Sequence, residues 1–273
     1  MKLRYALVAL AVVASPLAAK PAARKPAPAP VAAPVADDPA ARKAAADDLA
    51  LALTPESSVE VQTDGIIKTM LDQLLRGDSG LAELEKAYPG LMAAVGVRVR
   101  PIMLRSGQQS LPLYRADLSK LYQANLTTGE LREAATFFRS PEMQAFVAAA
   151  QRNLKFENTT AAALGQRDAS TADLQSDVRT AAQKTAGEVT DLQRRKITVF
   201  MISPLGRKLS ALNPQKQALN AKWFNRSDPV LEKEVEIATI EAMIEHIGKT
   251  DPALAKEMRA KLVADGALPK PAT

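Results

Sequence analysis

The segment Leu126–Phe146 reads LTTGELREAATFFRSPEMQAF, and Val189–Leu209, 63 positions further on, reads VTDLQRRKITVFMISPLGRKL. Aligned, Thr127 falls on Thr190, Phe137 on Phe200, Ser140-Pro141 on Ser203-Pro204, and Phe146 on Leu209. Each segment has apolar residues at helical spacing, then a Ser-Pro step, then a second apolar run. Serine before proline is a helix start. The hydroxyl accepts from a free amide of the first turn, and proline lacks only an amide that would have been unpaired there. Thr127 with Glu130 three residues on adds a capping box. Each segment therefore predicts a helical hairpin, and the pair suggests a duplication.

Working outward, the same signature recurs at Thr54-Pro55, Asn213-Pro214, Asp228-Pro229 and Asp251-Pro252. Apolar stripes accompany these starts. One is Ile66, Ile67, Met70, Leu71, Leu74 and Leu75, ending near Gly77. Others are Leu118, Leu121 and Tyr122, and Ile237, Ile240, Ile244 and Ile247. Leu174, Val178, Ala181, Thr185, Val189, Leu192 and Val199 predict one long helix. Val95, Val97 and Val99 alternate with Gly96, Arg98 and Arg100, a strand-like pattern before Pro101 that could end or kink a helix. A lone strand would have no partner, so a helix is expected there. Aromatics at 4% and 18 prolines leave Leu, Val, Ile, Met and Ala to build the core. The expected fold is all-α, a bundle or array of amphipathic helices in which two related hairpins are embedded.

The N-terminus predicts export. Lys2 and Arg4 precede an apolar run, Tyr5–Ala14, and Ser15-Pro16-Leu17-Ala18-Ala19 supplies a breaker and small residues. Residues 1–19 read as a cleavable signal peptide, too short to span a bilayer. Residues 20–40 read as a Pro/Ala linker, because Pro21, Pro26, Pro28, Pro30, Pro34 and Pro39 oppose a helix. Residues 41–266 form the expected helical domain and 267–273 a flexible tail. The expected location is periplasmic, with no transmembrane span in the mature chain.

The net charge of +6 arises mostly at this end. Lys2, Arg4, Lys20, Arg24 and Lys25 occupy the first 25 positions, and the remaining 31 basic residues face 30 acidic ones. A near-neutral body lacks the footprint of a nucleic-acid binder. The short clusters Arg98/Arg100/Arg105 and Arg194/Arg195/Lys196 read as solvated helix faces. The absence of cysteine rules out disulfides, thiolate catalysis and Cys-ligated metals.

The two hairpin segments resemble a bacterial exported family catalogued as domain of unknown function number 2059. Its pattern is L-T-x-x-E-L, an aromatic pair, then S-P-x-G-x-K. Leu126, Thr127, Glu130, Leu131, Phe137, Phe138, Ser140 and Pro141 match its first part. Met143 and Ala145 depart from it. Ser203, Pro204, Gly206 and Lys208 match its end, without the preceding Glu-Leu. The resemblance implies a helical periplasmic protein and no particular reaction.

Groups that could carry chemistry are sparse. His246 is the only histidine, with Ala242 and Met243 one turn back and no ligand spacing. Glu241/Glu245, Asp47/Asp48 and Asp37/Asp38 are close in sequence but read as solvent-facing pairs. Trp223 and Phe224 read as a core plug, and Ser140 and Ser203 as caps rather than nucleophiles. Catalytic, cofactor-binding and metal-binding residues are expected to be none, and the protein to be no enzyme. Two functions stand ahead of a hydrolase using carboxylates alone, which ranks last. One is an interaction or envelope-associated module with a protein partner. The other is a carrier of an apolar small molecule or lipid, with Met70, Met92, Met103, Met143, Met201 and Met243 as candidate cavity walls.

Overall fold

The computed structural model describes residues 38–165 and 167–269. The expected signal peptide, and the linker apart from residues 38–40, lie outside the described residues. Among the described residues every regular element is an α-helix. They are α1 (Pro39–Leu53), α2 (Ser57–Gly77), α3 (Ser79–Ala87), α4 (Leu91–Asn125), α5 (Thr128–Phe138), α6 (Pro141–Asn153) and α7 (Glu157–Leu164). There follow α8 (Thr171–Ala186), α9 (Asp191–Ile202), α10 (Pro204–Ala211), α11 (Asn213–Phe224), α12 (Pro229–Ile247) and α13 (Pro252–Ala264).

The spine is α4, which at 1.5 Å per residue is roughly 50 Å long. It packs against α12, α1, α2 and α11. The valines at its start follow helical rather than strand periodicity: Val95 and Val99 are buried, and Val97 faces out. Pro101 and Pro112 lie inside the helix, so Pro101 neither ends it nor opens a strand. Each proline leaves one carbonyl four residues back without its amide, at Val97 and at Gln108. All four residues are on the exposed side of α4, where water can satisfy those carbonyls. The prolines are eleven residues apart, close to three helical turns, so both interruptions fall on one solvated face.

A main core gathers α1, α2 and α4–α12 around Leu49, Met103, Leu118, Leu131, Phe138 and Leu174, with α9 contributing Phe200 alone among its buried residues. A smaller cluster of Leu91, Ile244, Ile247, Ala255 and Leu268 ties α13 to α12 and to the start of α4. The expected isoleucine stripe holds here, with Ile244 and Ile247 buried and Ile237 and Ile240 packed against them.

Four of the six proline-marked starts are capped as expected, by Ser140, Ser203, Asp228 and Asp251. Two are corrected. Thr54 closes α1 instead of opening α2: its hydroxyl donates to the Ala50 carbonyl, and Arg115 donates to both Thr54 oxygens. Asn213 is itself the first residue of α11 and makes no side-chain cap. Pro39, read as part of the linker, is the first residue of α1, with the Asp38 carboxylate accepting from the Ala40 amide.

The long helix expected across Leu174–Val199 is two helices. α8 ends at Ala186, and α9 begins after a capping box between Thr190 and Gln193. The apolar period runs across the gap, but the cap stops the backbone. Residues 267 and 268 also differ from the expected flexible tail. Gly266 takes the left-handed conformation at φ 74°, and the Ala267 and Leu268 amides donate back to Leu262, which buries Leu268. A glycine there closes the helix without a Cβ clash.

Candidate functional site

The two hairpins foreseen in the sequence are α5–α6 and α9–α10, and they are built alike. Thr127 caps α5 and Thr190 caps α9, each in a full capping box. Ser140 accepts from the Met143 amide, and Ser203 accepts from the Gly206 amide. Phe137 and Phe200, equivalent positions, stack on each other with ring centroids 3.6 Å apart and planes 5° from parallel. The Lys208 ammonium reaches Glu130 at 2.8 Å, joining the end of one motif to the start of the other. Lys196 pairs with Glu142 between α9 and α6. Burial alone would raise the Glu130 pKa, but hydrogen bonds from Lys208 and Thr127 outweigh it and hold the carboxyl below its usual value.

The hairpins differ in what surrounds them. α5 packs against α1 and buries Leu131, Ala134, Ala135 and Phe138. α9 packs only against α10 and α6 among the stronger helix contacts, and Phe200 is its one buried residue. The outward positions diverge in chemistry. In the first hairpin they are Gly129, Thr136 and Arg139, all exposed. Arg139 is paired there with Asp48. In the second hairpin the same three positions are Leu192, Val199 and Ile202, 59%, 61% and 61% exposed. They recur at intervals of seven and three, so they line one stripe of α9. Arg195, three residues after Leu192, lies on the same stripe, is exposed, and pairs with no carboxylate among the described residues. These three large aliphatic side chains form one apolar stripe on the solvent face of α9.

The α9–α10 corner is tight. A Cβ on Gly206 would fall 2.0 Å from the Phe200 carbonyl oxygen and 2.7 Å from Met201 Cα, so only glycine fits. Position 143, its counterpart in the first hairpin, is a buried methionine.

The other candidates are engaged structurally. Arg98 sits at 3.4 Å from both Glu241 and Glu245, so that carboxylate pair is bridged by one guanidinium across α4 and α12. Arg100 pairs with Asp64 and Arg105 with Glu234. The first basic cluster is therefore a set of inter-helix ties rather than a basic patch. Asp47 holds Lys43 and the Ser119 hydroxyl, and Asp48 holds Arg139. Asp38 is a cap, and Asp37 lies outside the described residues. Trp223 and Phe224 are buried, with the indole N–H donating to Asp117 and Tyr114 packed edge-on against the indole. Met70, Met92, Met103 and Met143 are buried in the main core, and Met201 and Met243 pack against it.

His246 lines an open cleft of about 310 Å³ with Ala87, Tyr88, Pro89, Thr250 and Asp251. Its Nε2 lies 3.1 Å from the Pro89 carbonyl, and the ring rests against Gly90, whose φ of 89° starts α4. Asp251 accepts from the Leu254 amide, and Glu85 accepts from the Gly90 and Met92 amides. These carboxylates terminate helices. Among the described residues no group of three or more His, Asp or Glu is placed to hold a metal, and no helix is long and apolar enough to cross a membrane.

No family model, curated protein or solved structure matches this chain.

Proposed function

We propose that the protein is a non-enzymatic interaction module of the cell envelope, exported by residues 1–19, and that the outer face of α9 is its recognition surface. The observation that carries this reading is the in-register change from Gly129, Thr136 and Arg139 to Leu192, Val199 and Ile202. The motif itself does not require aliphatic residues there, since the first hairpin folds with polar or small ones. Covering the stripe would remove apolar surface from water at about 25 cal/mol per Å². The exposed, uncompensated Arg195 selects the occupant: an amphipathic helix of a protein partner, with apolar residues on one face and a carboxylate among them. The resemblance of the hairpins to an exported helical family, and the basic-apolar-small order of residues 1–19, support the location. The carrier reading is less favoured, because four of its six methionines are core filling.

A photo-cross-linking residue at Val199, compared with one at Thr136, tests this in envelopes of cells expressing the full chain. The expected result is one discrete protein adduct from position 199, lost with Arg195→Glu, and none from position 136. Equal labelling at both positions, or an adduct indifferent to Arg195, would overturn it.

A further inference from the structure

We propose that the inner face of α11 holds a small monovalent anion of chloride size, with the Lys216 ammonium as its cation and the Asn220 amide N–H as a second donor. This site is independent of the α9 surface.

Lys216, Gln217 and Asn220 are 2%, 9% and 0% exposed, on a helix that packs against α8, α4 and α10. Lys216 and Asn220 are four residues apart and Gln217 and Asn220 three, so each pair is adjacent on the helix, with Cβ atoms about 5–6 Å apart. A packed helix face normally carries apolar residues there, and lysine is among the side chains least often buried without a partner.

The polar groups around this face leave a specific deficit. From α4 the Tyr114 hydroxyl donates to Asn220 Oδ1 at 2.7 Å, which fixes the amide and leaves Nδ2 buried without an acceptor. Gln217 Oε1 is likewise buried without a donor. Turning that amide over would present its N–H groups instead, at no covalent cost. Lys216 makes no side-chain hydrogen bond or ion pair among the described residues. The carboxylates of the neighbouring elements are occupied. Asp177 of α8 accepts from the Asn158 and Thr159 amides, the Asn158 side chain and the Thr159 hydroxyl. Asp117 of α4 accepts from Trp223, Lys120 and Lys222. On α10, Lys208 is paired with Glu130.

The face thus holds an ammonium without a counter-charge and an amide donor without an acceptor, beside one amide oxygen whose group can be turned over. Burial alone pushes the Lys216 amine down to about 7. Near neutral pH the side chain is poised between a neutral amine and a buried, uncompensated cation, and the latter is costly. One monovalent anion supplies the missing charge and accepts from both Lys216 and Asn220. A second carboxylate-bearing side chain would do the same, but α4, α8 and α10 offer none that is free.

Thermal unfolding of the full chain at pH 6 in sodium chloride, against sodium gluconate of equal ionic strength, tests the site. Above the dissociation constant, each tenfold rise in chloride is expected to raise the midpoint by roughly 3–5 °C. The response should shrink at pH 9, where the amine is neutral, and vanish in Lys216→Met. That variant should also melt higher than the parent in gluconate. Asn220→Asp, which places a carboxylate beside the ammonium, should abolish the response as well. Crystals soaked in bromide should show an anomalous peak beside Lys216 Nζ. A chloride response unchanged in both variants, no response in the parent, or a water in place of bromide would each overturn the proposal.

Discussion

The hairpins α5–α6 and α9–α10 share their caps, their Ser-Pro corner and a stacked phenylalanine pair, yet one is interior and the other is peripheral. α1 covers α5, and nothing comparable covers α9. The comparison separates what the motif needs from what its surroundings add. Capping and the corner set the local path of the chain. Burial is decided by whether another helix is at hand. Aliphatic residues on the uncovered side of α9 therefore have no role in the hairpin itself, which is why they point to a partner.

The largest predicted asymmetry is in the cores of the two hairpins. Phe138 is buried under α1, and Phe138→Ala should lower stability by about 4 kcal/mol through lost transfer energy and the cavity left behind. Its counterpart Met201 is half-buried, and Met201→Ala should cost about 1 kcal/mol. Urea unfolding of the two variants measures the difference, and equal losses would mean that α9 is as enclosed as α5.

The corner reverses that order. Gly206→Ala forces a Cβ into the Phe200 carbonyl and should cost on the order of 3 kcal/mol, a penalty close to that of the Phe138 truncation. The first hairpin has a buried methionine at the same position. A Gly206→Ala protein that melts with the parent would show that the second corner is no tighter than the first.

The caps should behave as equals. Thr127→Ala and Thr190→Ala should each cost about 1 kcal/mol, because each removes one half of a capping box. Thermal midpoints that fall together would confirm that the two starts are equivalent.

The bridge between the hairpins adds a pH dependence. The Glu130 carboxyl is held below its usual value, so its contribution is present above the ordinary glutamate range and is lost as pH falls through the lowered pKa. Glu130→Gln should therefore flatten the fall in midpoint between about pH 5 and pH 3. A variant with the acid sensitivity of the parent would remove Glu130–Lys208 from the account.

Much of this was legible in the sequence. Four Ser-Pro and Asp-Pro starts, the isoleucine stripe of α12 and the paired hairpins follow from local chemistry that tertiary contacts do not override. The errors have local causes too. Periodicity joined α8 to α9 because Val189 and Leu192 keep the helical interval across the break. The correcting signal was Thr190 with Gln193, a capping box with glutamine in the place of glutamate. Thr54-Pro55 has the look of a start, but Arg115, 61 residues away, recruits the threonine to the end of α1. Pro101 looked like a boundary because the sequence does not reveal that residues 97, 101, 108 and 112 all face water. Lys216 gave no warning, since one lysine in a polar stretch is ordinarily exposed. Leu192 and Val199 keep the spacing of a core stripe, and only the missing neighbour leaves them exposed.

The smallest predicted effect on stability carries the central claim. Val199→Thr with Ile202→Arg gives α9 two of the three outward residues of the first hairpin and should leave the thermal midpoint within about 2 °C, as expected of exposed positions. Native mass spectrometry of the chain purified from the envelope without detergent, parent against this double variant, is then the most direct measurement. The expected result is a parent that carries a protein partner, a variant that is bare, and a mass in both that starts near residue 20. A variant that keeps the partner, or one that unfolds, would contradict it.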